Sequence, residues 1–145
     1  MGYLLGGRAG EPATPPPLWD VPADARAADY QLGDAVALRG YRVMSDPAGA
    51  TLTLYWQAVA FPRTEVSAFV HALDAAGATI AQSDGPPAAV PMWCWVPGEV
   101  VADERRLAAG GVAGFAVGLY DPLTGQRLPV RPPLPDDRIV LPAAE

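Results

Sequence analysis

The chain has 145 residues, half of them apolar, which is enough for one domain with a real core and too short for two of ordinary size. Ten basic against 16 acidic residues leave a formal charge of −6, and Arg105-Arg106 is the only adjacent basic pair, so a nucleic-acid partner is not expected. No run approaches the roughly 20 apolar residues that span a bilayer, so membrane insertion by this chain is not expected either.

Other exclusions follow from single residue types. All ten basic residues are arginine, and no asparagine is present, which removes any N-linked glycosylation sequon. One cysteine permits no internal disulfide; between Trp93 and Trp95, Cys94 reads as a small buried apolar residue. The opening Met1-Gly-Tyr-Leu-Leu-Gly-Gly-Arg8 lacks the basic start and long apolar core of a signal peptide. Gly6-Gly-Arg-Ala-Gly10 lacks the lysine and the strand-to-helix setting of a phosphate loop.

Residues 1–31 read as a tail or linker, because Pro12, Pro15, Pro16, Pro17 and Pro22 favour extended conformations over a packed element. Leu18-Trp19 is its one adhesive point, suited to stapling the tail onto the domain or onto a neighbour. Residues 32–145 read as an all-β domain, an antiparallel β-sandwich of about eight strands with Ig-like or jelly-roll topology left open. Strands are expected near 34–43, 51–60, 65–74, 78–84, 93–96, 99–107, 112–120, 126–130 and 137–141. In the second of these, Leu52, Leu54, Trp56 and Ala58 alternate with Thr51, Thr53, Tyr55 and Gln57, the period-two signature of a half-buried strand. Asp74-Ala-Ala-Gly77 and Asp121-Pro-Leu-Thr-Gly125 supply turn chemistry, each with a glycine free to take positive φ. Three glycines within Gly110–Gly114 mark a bulge or a close backbone approach. The expected core is Val36, Leu38, Leu52, Leu54, Trp56, Val70, Ile80, Val101, Val117, Leu119 and Ile139.

Four segments carry a family likeness in chain order: Val70-His-Ala-Leu-Asp-Ala-Ala-Gly77, Gln82-Ser-Asp-Gly-Pro-Pro87, Trp95-Val-Pro-Gly-Glu-Val-Val101 and Val117-Gly-Leu-Tyr-Asp-Pro-Leu-Thr-Gly-Gln-Arg-Leu-Pro-Val130. Over about residues 32–141 they resemble the β-sandwich domain at the C-terminal end of some bacterial membrane glycosyltransferases of the dolichyl-phosphate-mannose mannosyltransferase type. The resemblance implies a non-catalytic accessory module, on the extracytoplasmic face of the membrane if it belongs to such a transferase. Without that link, the missing signal peptide points to the cytoplasm.

The residues themselves point the same way. His71 is the only histidine and the natural general base, but Ser67, four residues away on the same strand face, lies about 13 Å off at roughly 3.3 Å per residue. His71 therefore reads as structural. Asp74, Asp84, Glu99 and Asp103 lie near strand ends where calcium ligands gather, yet aspartates in such turns ordinarily bond their own backbone. No cofactor or metal is expected. The binding candidates are Trp93 and Trp95, on one face if the segment is extended, with Tyr55 completing an aromatic platform and Gln57, Asp84 or Arg105 supplying polar contacts. Such a platform suits a glycan or a protein partner. A purely structural role in a larger assembly and a small hydrolase with a loop-assembled site are the alternatives, and oligomeric state is left open.

Overall fold

The structure is a computed structural model that describes residues 18–88 and 90–144. Among the described residues nine strands form two antiparallel sheets: β1 (Arg26–Leu32), β2 (Val36–Asp46), β3 (Gly49–Ala58), β4 (Ser67–Leu73), β5 (Thr79–Gly85), β6 (Val100–Leu107), β7 (Gly114–Tyr120), β8 (Val130–Arg131) and β9 (Ile139–Pro142). One sheet has the order β6-β3-β2-β1-β8, the other β5-β4-β7-β9. The expected antiparallel sandwich is what forms, and its core fills the space between the sheets.

The alternation in β3 works as read. Leu52, Leu54, Trp56 and Ala58 are fully buried, and they meet Leu38 and Tyr41 of β2 and Val101 of β6 in one cluster. Val36, Val70, Val117, Leu119 and Ile139 join them. The turns also form as expected: Asp74 Oδ1 accepts the amides of Ala76 and Ala78, and Gly77 takes φ +84°. Asp121 Oδ1 accepts the Leu123 amide, and Gly125 takes φ +75°. In the glycine-rich stretch, a Cβ at Gly114 would stand 2.9 Å from the Leu141 carbonyl, so this is a close backbone approach.

Four expectations are corrected. Residues 26–31, assigned to the tail, belong to β1 and pair with β2, while Leu18 holds the described residues ahead of β1 to the domain by accepting the Val100 amide at 2.8 Å. Residues 1–17 of the tail lie outside the described residues. Ile80 is exposed rather than core: the register slips between Ala72 and Leu73, Ala81 pairs with inward-facing Ala72, and Ile80 is left outside an edge strand. Residues 93–96 are not a strand, because Met92–Cys94 coil into a 3-10 turn. Of the 126–130 strand only Val130 joins a ladder, as the first residue of β8, apart from a single Tyr120–Arg127 bridge.

Tyr55 is on the outer face of β3, as its parity requires, yet only 3% exposed. It lies opposite Gly40, and a Cβ at Gly40 would stand 2.8 Å from Val21 and 2.9 Å from the Arg26 carbonyl. Residues 21–26 thus fold across the outside of the sheet at this point, and only glycine leaves room for them. Gly40→Ala is expected to lower stability by about 1–3 kcal/mol through overpacking against backbone that has little freedom to retreat. Chemical denaturation checks this, and an unchanged midpoint would contradict the packing described.

Candidate functional site

The strand directions gather the long connections at one end. Loops 59–66, 86–99 and 121–129, with the β1–β2 turn at 33–35, all leave the sandwich there, while the opposite end carries the turns at 47–48, 74–78 and 108–113. Of the 11 large hydrophobic side chains exposed among the described residues, eight belong to the loop end: Leu18, Trp19, Val59, Phe61, Val90, Trp93, Val96 and Leu123. Three of them stand at the tips of three different loops, with Phe61 67%, Trp93 72% and Leu123 94% exposed.

The geometry of the 3-10 turn explains which tryptophan faces outward. Residues i and i+3 of such a turn share a face. Met92 and Trp95 accordingly point into the core, where the Trp95 indole donates to the Val90 carbonyl at 2.9 Å, and Trp93 and Cys94 point to solvent. Both the shared aromatic face and the buried cysteine expected from an extended segment are overturned. The remainder of the expected platform is dispersed as well. Tyr55 is buried, and Gln57 is engaged: its carbonyl oxygen accepts from Arg39 Nε at 2.8 Å and its amide donates to the Gly98 carbonyl at 3.1 Å. Asp84 is exposed on edge strand β5, across from Phe69 of β4. Trp93 is therefore the one aromatic of the expected set that presents a free surface, and its groove of about 350 Å³ is walled by Pro86, Pro87, Pro91 and Pro122, with Glu65 and Ser67 as its polar members.

Arg105 has a different role from the one expected. It is 8% exposed, and its Nε bonds Asp103 Oδ1 at 2.9 Å while the rest of the guanidinium donates to the carbonyls of Ser83, Gly85 and Pro86. Asp103, 2% exposed, also accepts the Trp56 indole N–H at 2.9 Å. The pair thus ties β6 of one sheet to β5 of the other along the open side of the sandwich. Its signal was legible: Val101 and Leu107 set the inward parity of β6, and the same parity sends Asp103 and Arg105 inside, where each needs a partner.

His71 lies on the outer face of β4 with its ring 5.3 Å from that of Phe69; Gln82 and Ala116 stand directly across from it, not a serine or a carboxylate. The four acids near strand ends are dispersed: Asp74 holds its own turn, Asp103 holds Arg105, Glu99 accepts the Val96 amide and Asp84 is on β5. Among the described residues no group of three or more histidine, cysteine or acidic side chains is arranged to hold a metal ion, and no helix is long and apolar enough to cross a membrane. Comparison of the chain with protein-family models, with curated proteins and with solved structures finds no match.

Proposed function

We propose that this domain is a non-catalytic accessory module that docks through its loop end onto a partner protein. The membrane part of a glycosyltransferase is the partner that the sequence resemblance suggests. The observation that carries the reading is the segregation of eight of the 11 exposed large hydrophobics among the described residues to that one end, with Phe61, Trp93 and Leu123 contributed by separate loops. Isolated exposed apolar residues need no explanation, whereas a clustered set rimmed by polar groups has the anatomy of an interface.

The sheet edges favour the same surface. Edge strand β5 has two carbonyls at its end occupied by Arg105, which also binds that of Pro86 just beyond it; β6 carries Asp103 and Arg105 inward and Glu104 and Arg106 outward, β8 has two residues, and β9 ends in Pro142. Short strands, charges and proline are the devices that discourage strand addition. Recognition is thereby directed to the loops.

Photo-cross-linking residues placed singly at Phe61, Trp93 and Leu123, with exposed Met44 and Ile80 as controls, test the proposal in native cells. One polypeptide should be captured from all three tips and from neither control, and a Phe61→Ser/Trp93→Ser double variant should release it. Equal capture at all five positions, or none at the tips, sinks the reading.

A further inference from the structure

A cleft of about 620 Å³ opens at the loop end beside the apolar tips, within the size range of small-molecule sites. Its floor is core: Leu32, Val36, Val66 and Met92 line it. Its polar groups come from three separate segments, with Asp34 from the β1–β2 turn, Arg63 and Thr64 from loop 59–66, and Asp121 from loop 121–129; Phe61 stands among them. The Asp34 carboxylate is fully exposed and lies 3.8 Å from Arg131, and Asp121 engages only Oδ1 in its turn. The residues that line the cleft thus include two carboxylates as acceptors, a guanidinium as donor, and a hydroxyl that does either.

Charge narrows the ligand class. The lining carries both signs of charge, and Arg131 stands beside Asp34, so neither an anion nor a cation meets a uniformly complementary wall. A neutral polyhydroxylated ring satisfies both kinds of group, because each hydroxyl donates and accepts, and its C–H face can lie on the apolar floor or against Phe61. We infer that this cleft binds a neutral carbohydrate. Trp93 and Tyr55 have no part in the site; Trp93 faces the neighbouring proline-walled groove, and Tyr55 is covered on the outside of β3.

The test is a ¹⁵N NMR titration of the full chain with methyl glycosides and short oligomers of mannose, glucose and galactose, together with a uronic acid and an amino sugar as charged controls. At least one neutral sugar should give saturable shifts confined to the amides around Gly33–Val36, Thr64–Val66 and Leu128. Arg63→Ala should weaken that binding at least about tenfold, the loss expected for one hydrogen bond to a charged group. Thr64→Trp should fill the cleft and abolish binding, and Trp93→Ala should leave it unchanged. The inference is overturned if no neutral sugar gives saturable shifts up to about 100 mM, a Kd too weak for a specific site. It is equally overturned if the shifts centre on Trp93, if the Arg63 and Thr64 variants bind as wild type, or if the charged controls bind as well as the neutral sugars. The site stands apart from the docking reading: sugar binding lost in Arg63→Ala, with cross-linking at Trp93 and Leu123 intact, separates the two.

Discussion

Replacing Asp103 with alanine should destabilise the fold by about 3–5 kcal/mol, the cost of leaving a buried guanidinium without its counter-charge. For a domain of this size that corresponds to a fall in Tm of roughly 10–20 °C. Asp103 anchors two buried donors at once, the Trp56 indole and the Arg105 guanidinium, and it is 2% exposed, so water has no ready access to replace it. Asp103→Asn should be milder, because an amide oxygen still accepts from Trp56 while the charge pairing is lost. Pairing Asp103→Asn with Arg105→Met removes both charges, and the double variant should be more stable than the sum of the single losses implies. Denaturation of the four proteins gives the coupling. A loss below about 1 kcal/mol for Asp103→Ala would show that the pair is solvated and that other contacts hold the two sheets together on this side.

That network shows where the sequence is legible and where it stops. Strand β3 is legible because one face is wholly apolar and both neighbours, β2 and β6, are paired along its length, so the alternation has a single interpretation. The turns at Asp74–Gly77 and Asp121–Gly125 are legible because side-chain acceptor and positive-φ glycine act within the same few residues. Local chemistry sufficed there. Strand β1 is hard to read because Arg26-Ala-Ala-Asp-Tyr-Gln-Leu32 fully buries only Leu32; its first five side chains alternate between half-buried and exposed, and its place is settled by the register against β2. Ile80 failed for a related reason, since parity counted from sequence does not see a bulge in an edge strand.

The candidate site was less legible than the fold. Trp93, Tyr55, Gln57 and Asp84 form one platform only if the backbone is extended and the faces are open, and two features break the set: residues 21–26 fold over the outer sheet at Gly40, and the segment after Pro91 coils. Neither is encoded by composition near the residues concerned. What does emerge, the loop end with Phe61, Trp93 and Leu123, depends on four connections leaving the sandwich on the same side, which is a property of topology.

The two tryptophans flanking Cys94 give the sharpest contrast in consequence. Trp95→Ala should cost about 3–5 kcal/mol, the range for deleting a large aromatic from a close-packed core. The residue is completely buried in the central cluster and its indole donates to the Val90 carbonyl, so truncation opens a cavity and removes that hydrogen bond together. Trp93→Ala should change stability by no more than about 0.5 kcal/mol, because its ring is 72% exposed and belongs to the surface. Fluorescence distinguishes them independently: acrylamide should quench emission that disappears in Trp93→Ala, whereas the emission missing from a mild Trp95→Phe variant should be the shielded part. If the segment were a strand with both rings on one face, the two alanine variants would lose similar stability and show similar quenching, and a result of that kind would overturn both the 3-10 turn and the loop-end surface built on it.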